Sequence, residues 1–350
     1  MNANCRILPI EEWPPSDQQM WQRAIQNGGL FDDVGPLAHM AEPTHGMIKA
    51  GYGKWLAWLI EARAASLAVH PAERLDIETF VSFLDSNAHL SPQTQHFYAE
   101  TTLRLLSRCY PDREWDPIKR AVLLLQRLAR EHVSRRKDGR ILSGAHVLAK
   151  AMDLETSAYQ DKGRDQQRAL QQRNGTIIAF LALIPLRRRT LTSLRLRESV
   201  VLDGDDILIV TKPQMNKTKT HWETIVPTSI APLLGRYIRQ TRPELMRRDG
   251  YNHDYLWVTN RGAPISGTSM GTLIRNQTHK LFGVPISPHL FRDIAATTMA
   301  RASPEAVGNI RSLLDHRGHQ TAEKYYNHAT ALEIGRNHAR LIDSFQKGER

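Results

Sequence analysis

The residues best suited to chemistry lie in the run from Ser287 to His328, which opens Ser287-Pro288-His289-Leu290-Phe291-Arg292. It closes with Asp315-His316-Arg317-Gly318-His319 and then Tyr325-Tyr326-Asn327-His328. Serine before proline is a helix-start signal, since serine caps free amides and proline has no amide to waste at the first helical position. On such a helix His289 and Arg292, three residues apart, share a face. A planar five-donor cation beside an imidazole can hold a phosphate and move a proton near it. His316 adds a further imidazole, and Tyr325 and Tyr326 add hydroxyl groups. The chemistry assembled is that of a phosphodiester active site.

The elements that must position these residues begin upstream. In Pro185-Leu186-Arg187-Arg188-Arg189-Thr190-Leu191-Thr192-Ser193-Leu194, the leucines at 191 and 194 keep helical spacing, so they face a core while arginines face out. A β signal follows: Asp203-Gly204-Asp205 is a turn, Ile207 to Val210 a strand, and Trp222 to Val226 a second strand ending at Pro227. Between those strands Asn216-Lys217-Thr218-Lys219-Thr220 places a lysine near a hairpin tip. Tyr255 to Val258 reads as a further short strand. Helical segments are expected over 146–158, 164–183, 232–240 and 269–281. In the tail, Leu332, Ala339, Ile342 and Phe345 share one side, which packs on its own domain or on a neighbouring subunit.

The N-terminal half is organised differently. Residues 1–45, with scattered Pro, Gly and Asp, read as an extended or partly ordered arm. Over 46–133 four amphipathic helices form a compact bundle. Their stripes are Trp55, Trp58, Leu59 and Ala62; Phe80, Phe83 and Leu84 after an Asp76 cap; Leu105, Leu106 and Cys109; and Ile118, Val122, Leu125, Leu128 and Ala129. The aromatics are read as core packing rather than base stacking. Residues 134–145 form a basic linker, 146–330 a second domain carrying the chemistry, and 331–350 a C-terminal helix. The fold class is therefore mainly α with a small antiparallel β-sheet.

Lysine and arginine number 47 against 36 acidic residues in a chain of 350, a net charge of +11 that favours a polyanionic partner. The longest apolar run, Thr176 to Leu186, is too short to span a bilayer. Met1 to Trp21, broken by Glu11, Glu12, Pro14, Pro15 and Asp17, does not read as a signal peptide. Cys5 and Cys109 have no paired spacing, so a cytoplasmic protein without a cysteine zinc site is expected. A metal site built from Asp315, His316 and His319 has the spacing for it on a helix but no further ligand cluster beside it.

Taken in order, the second domain offers an arginine in a Leu-Arg-x-x-x-Leu-x-x-Leu context, a hairpin lysine, His-x-x-Arg, a histidine after Leu-Leu, and a tyrosine about ten residues later. This ordered set resembles the tyrosine recombinase (phage integrase) family, over about 145–330. The resemblance implies a helical N-terminal core-binding domain that binds DNA, at 46–133, and a mixed α/β catalytic domain of tyrosine recombinase type, at 146–330. It assigns Arg187 as the first arginine, with Arg188 and Arg189 as competitors for that place that otherwise make generic phosphate contacts. The hairpin lysine is Lys219, with Lys217 as the alternative; His289 and Arg292 form the second box, and His316 takes the next position. The nucleophile is Tyr325 or Tyr326, and Tyr326 is favoured because Tyr326-Asn327-His328 resembles the Tyr-x-His ending frequent in the family.

Three positions depart from the pattern. Asp315 stands where glycine is usual, Asp293 replaces a common histidine, and Thr190 sits where an acidic residue often supports the first arginine. The implied activity is site-specific cutting and rejoining of double-stranded DNA through a 3′-phosphotyrosyl intermediate, as in integration or excision of mobile elements, by a homotetramer on two DNA sites. Two arginines and a lysine supply the positive charge, so no cofactor or metal is expected. The alternatives are strand nicking and resealing of the type IB topoisomerase kind, and a non-catalytic DNA-binding protein of the same fold.

Overall fold

The computed structural model describes residues 6–29, 33–132, 137–160, 165–204, 206–215, 221–247, 250–302 and 338–346. The chain divides into two compact units, Met1–Ser134 and Arg135–Arg350.

In the first unit, α1 (Pro15–Ile25) is followed by α2 (Glu42–Ala62), α3 (Ile77–Ser86), α4 (Pro92–Cys109) and α5 (Asp116–Glu131). The expectation of an arm up to residue 45 is corrected here. Trp13, Met20, Trp21, Ala24 and Leu37 are all buried in the core of this unit. The physical reason is visible in α1: proline stands at its start, Asp17 in its first turn, and Met20, Trp21 and Ala24 share one face. Asp17 is itself fully buried, and it accepts from Tyr52 at 2.6 Å and from Arg74 at 2.9 and 3.1 Å. This charge pair ties α1 to α2 and to the segment before α3.

The remaining helices follow their stripes. Asp76 caps α3 by accepting from the Thr79 amide at 2.7 Å. Trp55 and Trp58 of α2 meet Phe83 of α3 at 5.1 and 5.4 Å between ring centroids, edge to face. Leu105, Leu106, Ile118, Val122 and Leu125 complete the core, whereas Ala62 and Leu128 lie exposed.

The second unit is built on α6 (Gly144–Gln160) and α7 (Asp165–Leu183), whose run from Thr176 to Leu183 is buried all round. It is a core helix, and among the described residues no helix is long and apolar enough to cross a membrane. The short α8 (Arg188–Ser193) leads to an antiparallel sheet in the order β1 (Val200–Asp203), β2 (Asp206–Thr211), β3 (Trp222–Ile225). Ile209 of β2 faces Val200 on one side and Thr224 on the other. Strand β1 was not among the expected strands, while Tyr255 and Val258, expected in a strand, make only isolated bridges to Arg195 and Pro264.

Next come α9 (Ala231–Arg236), a π turn (Tyr237–Thr241) and α10 (Arg242–Met246), then α11 (Gly267–Phe282) and α12 (Pro288–Ala302). Gly283 ends α11 at φ 72°, the left-handed conformation that glycine adopts without penalty. A last helix, α13, covers 338–346. Its Ile342 is fully buried, and its Cδ1 stands 2.9 Å from where a side-chain carbon on Gly144 would lie. The tail thus packs on the unit of its own chain. His338, 1% exposed, faces the Ala182 carbonyl at 3.5 Å, and burial pushes its pKa down to about 4.

Candidate active site

Three of the six residues singled out in the sequence, Arg187, His289 and Arg292, are described by the structure; Lys219, His316 and Tyr326 lie outside the described residues. So do the alternatives Lys217 and Tyr325, and the positions Asp315 and His319.

Arg187 precedes the first turn of α8. After α7 the chain runs Ile184-Pro185-Leu186 in a form that cannot continue the helix, because proline removes a donor and restricts its neighbour. Arg187 has extended backbone, φ −63° and ψ 145°, and its carbonyl accepts the first helical bond, from the Leu191 amide at 2.8 Å. Leu191 and Leu194 are fully buried, which anchors α8 and leaves Arg187 half-buried and Arg188 and Arg189 exposed. The apolar spacing read from the sequence is what sets this orientation.

The second box stands on α12. Leu290, Phe291, Ile294 and Ala295 are buried, so the helix presents His289 to solvent, while Arg292 is only 5% exposed. The guanidinium of Arg292 donates from Nη1 to the Pro185 carbonyl at 3.0 Å. Pro185 lies two residues before Arg187, so this bond brings the Arg292 side chain to the segment that carries Arg187. A buried cation held this way keeps its remaining donors in a fixed orientation.

Two further contacts escaped the reading of the sequence. Thr190, 2% exposed, donates from its hydroxyl to the Met215 carbonyl at 3.1 Å. It thereby ties α8 to the chain just before the lysine-bearing segment 216–220. Asp293, the neighbour of Arg292, pairs with Lys137 of the basic linker at 2.9 Å. No motif flags either contact, since each joins residues 25 or more apart in the chain.

Deeper in the unit, Arg173 donates to the Val258 carbonyl at 2.9 Å, and burial lowers its pKa. Tyr237 donates to the Leu256 carbonyl and accepts from the Val258 amide, and burial raises its pKa to about 12. These groups tie α7 and the π turn to the segment 256–258. Among the described residues no group of three or more His, Cys, Asp or Glu could hold a metal ion.

Known proteins are similar to this chain in sequence and in fold. The sequence model of the phage integrase family matches residues 160–333. The tyrosine recombinase XerC of Pseudomonas aeruginosa is 28% identical over 159 residues, a stretch that covers 42% of this chain and only 35% of that relative. The crystal structure of the XerH site-specific recombinase bound to difH substrate, a pre-cleavage complex, is similar with a TM-score of 0.54 at 13% identity, covering 97% of each chain. The Tn1549 transposon integrase in complex with circular intermediate DNA is similar with a TM-score of 0.51 at 16% identity, covering 88% of this chain and 97% of that one. These two show the fold, which is that of the tyrosine recombinases. Residues 160–333, just under half of the chain, carry a phage integrase family domain.

Proposed function

We propose that the protein is a site-specific DNA recombinase that cuts and rejoins strands through a tyrosine. The observation that carries this reading is the bond from Arg292 to the Pro185 carbonyl, which joins the His-x-x-Arg helix to the segment that carries the first arginine. Complexes of structurally similar recombinases with DNA, and the net charge of +11, support duplex DNA as the partner.

In the proposed reaction the Tyr326 oxygen attacks the phosphorus of a DNA phosphodiester. The bond from phosphorus to the 5′-oxygen breaks, leaving a 3′-phosphotyrosyl link and a free 5′-hydroxyl. A tyrosine hydroxyl has a pKa of about 10, so its proton must leave as it attacks. His289 takes that proton, and Lys219 gives one to the departing 5′-oxygen. Arg187 and Arg292 hold the non-bridging oxygens as charge grows on them, and His316 donates to the same phosphate. Attack by a 5′-hydroxyl from another strand reverses the sequence, and the covalent link conserves the bond energy needed for rejoining. Exchange between two sites is assigned to a homotetramer, as in integration or excision of a mobile element.

The test starts from a recognition site selected out of random duplex by binding. A nicked copy of that site traps the covalent intermediate on a denaturing gel. The wild-type protein should give the adduct in the presence of a chelator; a strict need for magnesium would count against the mechanism.

A further inference from the structure

In the second unit, α8 and α11 bring two guanidinium groups to one glycine. A side-chain carbon placed on Gly271 would lie 3.5 Å from Nη1 of Arg188 and 3.9 Å from Nη1 of Arg275. The two guanidinium groups therefore lie side by side over Gly271. Nε of Arg188 also lies 3.6 Å from the matching point on Gly267, one helical turn earlier. The bare face made by the two glycines lets the Arg188 side chain lie along α11. Gly271 is buried beneath it, while Arg188 and Arg275 are exposed. Arg275 donates from Nη2 to the Thr272 hydroxyl at 3.2 Å, which orients its fork.

Several acids of this unit pair with other cations. Among the described residues, Asp165 pairs with Arg168, Asp254 with Arg195, Glu198 with Lys212 and Glu155 with Arg236. Arg188 and Arg275 take part in none of these pairs. Two like charges held side by side are disfavoured until an anion comes between them. Two neighbouring planar forks can share the oxygens of one phosphate.

We propose that Arg188 and Arg275 form a clamp on one backbone phosphate of duplex DNA, next to the phosphate under attack. The inference rests on the DNA-cutting function proposed above, and the neighbouring position follows from Arg188 being the residue after Arg187. The clamp carries no sequence information; it fixes the register of the strand against α8.

The experiment measures DNA affinity against salt for the full chain, with several duplexes of different sequence. For one shared phosphate, Arg188→Gln should lower the slope of log K against log salt by about 0.9. Arg275→Gln should do the same, and the double variant should lose no more than either alone. Weakening should be equal across sequences, and Arg188→Lys with Arg275→Lys should keep the slope. Unchanged slopes in the glutamine variants would overturn the clamp. So would an additive loss in the double variant, which means two separate phosphates, or a loss confined to some sequences, which means base reading. Circular dichroism of each variant checks that the helices persist. A wild-type protein with no salt-dependent DNA binding would remove the proposed function itself, which separates that failure from failure of the clamp.

Discussion

Nη1 of Arg292 and the carbonyl oxygen of Pro185 stand 3.0 Å apart across 107 residues of chain, joining α12 to the segment that carries Arg187. Replacing Arg292 with lysine keeps a charge but loses the planar fork that serves Pro185 and, in the proposed reaction, the phosphate as well. Single-turnover cleavage should fall by about a hundredfold or more, with DNA affinity little changed. A variant that cleaves at the wild-type rate would mean that Arg292 is only a structural anchor.

The hydroxyl of Thr190 ties α8 to Met215, just before Lys217 and Lys219. Thr190→Val keeps the shape and removes the donor, a loss of about 1 kcal/mol or roughly fivefold in rate. If the bond acts by positioning Lys219 as the acid, a substrate with sulfur in place of the bridging 5′-oxygen should restore the rate, because a thiolate leaves without a proton. Thr190→Ser should cleave like the wild type. A defect that sulfur does not relieve, while it relieves Lys219→Ala, would contradict the positioning role.

Asp17 and Arg74 form a charge pair that is 0% and 1% exposed, with Tyr52 donating to the same carboxylate. Asp17→Ala strands a buried guanidinium, so it should cost about 3–5 kcal/mol in chemical unfolding. Tyr52→Phe removes one bond to a charged group and should cost about 1.5–3 kcal/mol. Equal midpoints for the wild type and Asp17→Ala would show that Arg74 finds other partners.

His338 predicts a pH dependence. Burial holds its pKa at about 4 in the folded chain, against about 6.5 when unfolded. Between those values the unfolded state binds more protons, so stability is full above about pH 6.5 and is lost as pH falls towards 4. The loss amounts to about 3 kcal/mol at most. Denaturant titrations from pH 7 to pH 4 should show this slope, and His338→Phe should flatten it. Parallel slopes in the two proteins would count against a buried neutral imidazole.

Local chemistry made much of the fold legible. The Asp76 cap, the Leu191 and Leu194 anchors, the β2–β3 pair and the start of α12 at Pro288 all follow from spacing within a few residues. What stayed hidden depends on distant partners. Strand β1 begins just after Arg197 at φ 66° and exposes Leu202, so its pairing with β2 sets it rather than its pattern. The buried role of α1 rests on Trp13 and Trp21 meeting Tyr52 and His45 of α2, which punctuation by proline and aspartate obscured. In the candidate site, Arg187, His289 and Arg292 were legible as motif residues, whereas the Pro185 carbonyl and Thr190 were not, since their roles are made by contacts 25 to 107 residues away.

In the proposed reaction Tyr326 becomes joined to DNA. The most direct measurement digests the trapped adduct with protease and nuclease and locates the remaining nucleotide by mass spectrometry. A nucleotide attached through its 3′-phosphate to Tyr326 is expected, and no adduct from Tyr326→Phe. A nucleotide on Tyr325, a 5′-linked nucleotide, or an adduct that survives in Tyr326→Phe would contradict it.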